Sequence, residues 1–152
     1  MNSSQKNLSD ILIREFCMED YDAVIKLWKD TQLPYKPKGR DSRGKIEYEL
    51  KQGIAIFLVA EINGKLVGSI LGTHDGRKGW INRLAVAAEF RRQDIARRLV
   101  TEVEGRLSEL GIEVVACLIE DSNTKSMQVL ERLGYKNYSN IVYFTKRRNL
   151  DV

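Results

Sequence analysis

The chain has few of the residues that staple, ligate metal or break regular structure: two cysteines, one histidine and two prolines in 152 residues. Cys17, expected in an N-terminal strand, and Cys117, in an apolar run, give neither a disulfide framework nor a metal-ligand cluster, which fits a reducing compartment. No run approaches the roughly 18 apolar residues that cross a bilayer. Met1 to Asp10 is polar, without the apolar centre of a secretory signal. The expectation from these absences is a cytoplasmic protein with no membrane segment. Internal repeats and low-complexity tracts are absent too.

What is present suits one globular domain over residues 1–152, long enough to bury a core unaided. Charged residues make up 30% of the chain and the net charge is +4, with a pI near 9.1. That balance raises nucleic acid as a partner. The basic residues, however, fall into separate groups, Lys36 to Lys45, Arg91 to Arg98 and Lys146 to Arg148, with no repeated aromatic stacking pattern between them. A nucleic-acid partner therefore rests on charge alone and is not expected.

Residue patterning sets out the elements in order. Ile11 to Phe16 alternates as a strand, and Met18-Glu19-Asp20 opens a helix to Asp30, with Tyr21, Val24, Leu27 and Trp28 inward. Both prolines, Pro34 and Pro37, sit in a loop from Thr31 to Asp41. Asp41 or Ser42 caps a second helix to Lys51, with Ile46 and Leu50 inward. Ile54 to Ile62 and Leu66 to Thr73 are strands joined by the hairpin pair Asn63-Gly64. Asp75 to Gly79 turns into a strand from Trp80 to Val86, whose alternation puts Trp80, Asn82, Leu84 and Val86 on one face. Ala96, Leu99, Val103, Leu107 and Leu110 then repeat at helical spacing, ending at Gly111. Glu113 to Ile119 is a strand parallel to Trp80–Val86 after a right-handed crossover. Ser122 or Asn123 caps a further helix ending at Gly134. Tyr135–Tyr138 and Ile141–Lys146 are expected to complete the sheet as two short strands.

The stretch of greatest chemical interest runs from Ile81 to Arg98. Between its strand and its helix lie Arg91, Arg92, Gln93, Asp94, Ile95, Ala96 and Arg97. The first amides of a helix have no partner within it and carry roughly half a positive charge. With arginines around them, they form a cradle that suits a phosphate or pyrophosphate.

The run L-A-V, then R-R-Q-D-I-A, then S-N-T-K-S-M-Q-V-L-E-R-L-G-Y about 25 residues later, resembles the GNAT superfamily of acyl-CoA-dependent N-acetyltransferases over nearly the whole chain. The resemblance implies a mixed α/β fold: a central six- to seven-stranded, mostly antiparallel sheet with a parallel central pair, flanked by about four helices. It implies acetyl-CoA as cofactor and acetyl transfer to a primary amine of a small molecule or peptide by direct attack. A homodimer stays open. The family's phosphate pattern, Gln/Arg-x-x-Gly-x-Gly/Ala, falls on Arg91, Asp94 and Ala96, with aspartate where glycine is usual. Leu84, Ala85 and Val86 would pair through their backbone with the acetyl and pantetheine groups, and Asn123 matches an asparagine that contacts the cofactor. Tyr35, Lys36, Lys38, Arg40 and Tyr48 lie where relatives shape the acceptor pocket.

Catalytic groups are harder to assign. A lysine-type amine has a pKa near 10.4 and must lose a proton before it attacks. Relatives commonly carry an acid or histidine at Trp80 or Asn82; neither residue here is a base, although Asn82 could hold a water. His74, beside Asp75, has the right intrinsic pKa but an ordinary turn position. Many members carry a tyrosine at Leu130 as general acid, for which Tyr135, Tyr138 or water would have to substitute. Enzymes acetylating ribosomal protein N-termini carry a glutamate at Leu118. These departures keep a second reading in play, an acyl-CoA-binding sensor with little or no turnover.

Overall fold

The computed structural model describes residues 10–91 and 94–152; Arg92 and Gln93, two members of the expected cradle, lie outside the described residues. Strand β1 (Ile11–Glu15) leads through a single 3-10 turn into α1 (Tyr21–Asp30), and α2 (Arg43–Lys51) follows the proline loop. Ser42, not Asp41, is its cap: the hydroxyl accepts from Lys45 N at 3.3 Å. Strands β2 (Ala55–Ile62) and β3 (Lys65–His74) form the expected hairpin. Asn63 and Gly64 both take positive φ, +51° and +78°, the backbone a two-residue hairpin turn needs.

Chain order continues with β4 (Gly79–Ile81), β5 (Ala85–Val86), α3 (Ile95–Glu109), β6 (Val115–Cys117) and α4 (Thr124–Arg132). The sheet runs β1-β2-β3-β4-β6, with β5 also paired to β3. Every pairing is antiparallel except β4 with β6, which is parallel. The mixed α/β architecture with one parallel pair is the expected one.

Two apolar layers cover the sheet. On one face Ile95, Leu99, Val100, Val103 and Leu107 of α3 pack on Leu58, Val67, Ile70 and Ile81. At roughly 1.5–3 kcal/mol for each buried aliphatic side chain, that stripe is enough to hold α3 down. Gly72 lets the helix approach, since a Cβ there would lie 2.6 Å from Val103 Cγ1. On the other face Val24, Leu27 and Trp28 of α1 and Ile46 of α2 pack on Phe57, Val59, Leu71 and Ala85. No described helix is long and apolar enough to cross a membrane.

Four expectations need correction. Tyr135–Tyr138 and Ile141–Lys146 form no strand. Ile141, Val142, Tyr143 and Phe144 are exposed by 72, 72, 64 and 88%. The chain end bonds instead to the proline loop, where Lys36 Nζ donates to Leu150 O at 3.0 Å and Asp151 lies against Gly39. Leu110 is exposed, because α3 ends at Glu109 and it is Ile112, beyond the turn, that enters the core. Cys17 is also exposed, just beyond β1, where its thiol donates to Asp20. The strand expected over Trp80–Val86 is broken in two at Asn82–Leu84, and the break shapes the site.

Candidate active site

Regular alternation would place Ile81 and Ala85 on one face. Instead Ile81 belongs to the α3 layer and Ala85 to the α1/α2 layer. The strand shifts face between them, as an inserted residue does in a β-bulge. Leu84 and Val86 pack toward α3. Asn82 and Arg83 turn to the α1/α2 side: Asn82 Nδ2 donates to Thr73 Oγ1 at 2.9 Å, and the Arg83 guanidinium lies 5.7 Å from the Trp28 ring centroid. The expected single face of Trp80, Asn82, Leu84 and Val86 is thus divided by the bulge.

The break also opens the sheet. β4 and β6 are paired through Ile81↔Cys117, and beyond that rung β5 pairs only with β3. Past Ile81 the two parallel strands part, and the main chain at Asn82–Leu84 borders the gap. Trp28 supports the bulge from below: it is fully buried, and its Nε1 donates to Ser69 Oγ at 2.9 Å.

A buried ion pair lies at the same point. Arg83 Nη2 is 2.8 Å from Asp41 Oδ2, with residue exposures of 9% and 3%. Asp41 Oδ2 also accepts from Lys36 N at 2.7 Å, and the Asp41 carbonyl accepts from Tyr21 Oη at 2.8 Å. The proline loop is thereby fastened to the bulge. Arg83 Nε is buried without a hydrogen-bond partner. Glu49, half-buried on α2, has its carboxyl pushed upward by burial and by Asp41, with Arg83 and Arg40 opposing. Sequence reasoning passed over Arg83 and Glu49 and read Asp41 only as a cap. The one signal was a charged residue inside an otherwise apolar strand.

At the start of α3, Asp94 takes a left-handed conformation, φ +67°, and makes no side-chain cap. Its carboxylate turns outward to Arg97, whose Nε donates to Oδ2 at 2.7 Å, and that bond holds the carboxyl below its usual range. The positive φ explains why glycine suits this position in relatives. Because Asp94 faces Arg97, the first-turn amides of α3 are not capped by it. Arg91 is exposed, with Nε donating to Val86 O at 3.3 Å. Ile95 is buried and Ala96 half-buried.

Beside β6 a cleft of about 910 Å³ is lined by Trp80, Cys117, Leu118, Leu130, Tyr135 and Tyr143, among others. The two positions at which the resemblance would have a tyrosine and a glutamate, Leu130 and Leu118, therefore line the same cleft. Tyr135 Oη donates to Glu104 Oε2 at 3.1 Å, and burial keeps its proton on. Burial raises the Cys117 thiol to about 11, the state of an inert cysteine. Asn123 caps α4, its Oδ1 accepting from Ser126 N at 3.2 Å. His74 stays at the hairpin, where Nδ1 accepts from Gly76 N at 3.2 Å. Tyr35 packs on the α1/α2 core and Tyr48 is exposed.

A family model described as the acetyltransferase (GNAT) family matches residues 21–135. Among solved structures the chain is similar to an aminoglycoside acetyltransferase from an uncultured soil metagenomic sample, determined in complex with trehalose. Identity is 19%, the TM-score 0.77, and the match covers 93% of this chain and 98% of that one. It is similar to the PaiA N-acetyltransferase of Thermoplasma acidophilum in complex with coenzyme A, at 19% identity and TM-score 0.75, covering 86% and 92%. Glucosamine-6-phosphate N-acetyltransferase of Arabidopsis thaliana matches at 18% identity and TM-score 0.71, covering 91% and 99%. The match spans most of the chain, from α1 to the end of α4, and the chain belongs to the acetyltransferase (GNAT) family.

Proposed function

We propose that this chain is a single-domain N-acetyltransferase that takes its acetyl group from acetyl-CoA and passes it to a primary amine of a small molecule or peptide. The observation that carries the reading is the bulge at Asn82–Leu84, where β4 and β6 part after Ile81↔Cys117 and leave strand backbone bordering a gap. In the solved relatives, one structure holds coenzyme A and another acetyl-CoA.

The residues present fit such a ligand. The Asp94 side chain caps none of the first-turn amides of α3, and those of Ile95, Ala96 and Arg97 would receive the diphosphate through main-chain N–H groups. Arg91, Arg92, Gln93 and Asn123 belong to the same proposed seat. Leu84, Ala85 and Val86 would hold the pantetheine arm by strand-like pairing, and an N–H at the bulge would donate to the thioester carbonyl. Bound there, acetyl-CoA supplies the acetyl group as an activated thioester. Asn82, tied to Thr73, orients a water or the acceptor and takes no proton itself. Leu118 and Leu130 bring no acid to the leaving sulfur, and a thiol pKa near 8.5 makes its thiolate a tolerable leaving group unaided.

Two measurements test this. Titration calorimetry should show acetyl-CoA binding, and a panel of primary amines should accelerate thiol release from it. Binding with no amine-dependent release would leave the sensor reading, motivated by the aliphatic Leu118 and Leu130; absence of binding would defeat both.

A further inference from the structure

Glu49 is a half-buried carboxylate without an evident structural duty. It stands three residues after Ile46, which is 4% exposed, so the same side of α2 that enters the core also carries Glu49 inward. Among the described residues its side chain has neither a hydrogen bond nor an ion pair. Its oxygens are not sealed from solvent, so a cation from outside can reach them in surroundings less polar than open water. Its charged neighbours are Asp41 and Arg40 from the proline loop and Arg83 from the bulge. Asp41 is already committed to Arg83 and to the Lys36 amide. Glu49 is the uncommitted carboxylate of that cluster, on the α1/α2 side of the parted strands.

Resting on the acetyltransferase reading, we propose that Glu49 receives the acceptor's ammonium group and removes the proton that blocks its attack. The acceptor class is then a primary amine cationic at neutral pH. Its ammonium gives one proton to the Glu49 carboxylate, which returns it to solvent. The nitrogen lone pair forms the new C–N bond as the C–S bond breaks, and the second nitrogen proton ends on the departing thiolate. Carboxyls are ordinarily unprotonated well below pH 7, and burial beside Asp41 brings Glu49 closer to the working range of a base. Arg83 acts as a positioning residue: fixed by Asp41, it limits that rise and holds the proline loop on the bulge.

The test compares wild type with Glu49→Gln and Glu49→Asp on the panel amine that gives the fastest thiol release. Glu49→Gln should lower kcat by about 10² to 10⁴ and raise the amine KM. It should also abolish the acid limb of the kcat–pH profile, while acetyl-CoA affinity and the melting temperature stay close to wild type. Glu49→Asp should restore part of kcat and shift the acid limb. If Glu49→Gln keeps kcat within about threefold and an unmoved acid limb, the assignment of Glu49 is overturned while the transferase reading stands. If wild type releases no thiol with any amine, the transferase reading falls and this inference with it.

Discussion

Asp94 offers the sharpest test of the anion seat. It is an L-residue at φ +67° at the head of α3, with its carboxylate bound to Arg97 rather than to the first-turn amides. Replacing it alters three things with separate signatures. Left-handed backbone costs an ordinary L-residue about 1–2 kcal/mol, less for Asp and Asn, and nothing for glycine. Against this, the exposed Asp94–Arg97 pair contributes about 0.2–1 kcal/mol, and glycine in the unfolded chain costs about 0.4–1 kcal/mol. Asp94→Gly should therefore melt within about 3 °C of wild type, given about 2–4 °C per kcal/mol for a chain of this size. Asp94→Ala retains the strain and loses the pair, and should melt several degrees lower.

Binding responds to charge instead. At a separation of about 8 Å, a carboxylate would cost about 0.5 kcal/mol in water for each phosphate charge seated near it. Removing it, and freeing Arg97, should tighten acetyl-CoA binding about fivefold. Asp94→Gly and Asp94→Asn should do so equally, and the gain should shrink in high salt. Calorimetry at two salt concentrations, with melting curves alongside, reads both effects. Unchanged affinity in both variants would refute a diphosphate seat at this helix start, and tightening in Asp94→Gly alone would assign the effect to backbone shape.

Other outcomes follow from particular contacts. Asp41→Asn should leave Arg83 as an uncompensated buried cation and destabilise by about 3–5 kcal/mol, measured by denaturant unfolding; a loss below 1 kcal/mol would show that the pair is dispensable. Gly72→Ala should cost about 1–3 kcal/mol, because β-branched Val103 cannot easily yield to a Cβ 2.6 Å from its methyl. Asp20 accepts from Arg14 at 2.7 and 2.9 Å, which depresses its carboxyl. A depressed folded pKa gives stability that is complete above the unfolded value near 3.9 and is lost as pH falls through the folded one. Unfolding free energy should thus drop below about pH 4 in wild type and much less in Asp20→Asn. A thiol reagent at pH 8 should modify exposed Cys17 and leave Cys117 unreacted until the chain unfolds, and Cys117→Ala should retain acetyl transfer. Loss of transfer there would argue for an acetyl-cysteine intermediate.

Local pattern alone was enough to read the helices, the Asn63-Gly64 hairpin and the parallel crossover. Each rests on a short-range rule: apolar spacing, a two-residue turn, a glycine stop. The family resemblance lay in the same contiguous runs. Tertiary structure decided what depends on distant partners. Asp41 and Arg83, 42 residues apart, meet only because the proline loop folds over the bulge. Alternation over Trp80–Val86 reads as one strand, but packing Ile81 under α3 and Ala85 under α1 forces a face change between them. Asp94 could have capped α3 or faced Arg97, and the left-handed backbone chose the second. The apolar run Ile141–Phe144 has strand-like composition, yet a strand exists only where a neighbouring edge accepts its hydrogen bonds, and the chain end is drawn to Lys36 and Gly39 instead.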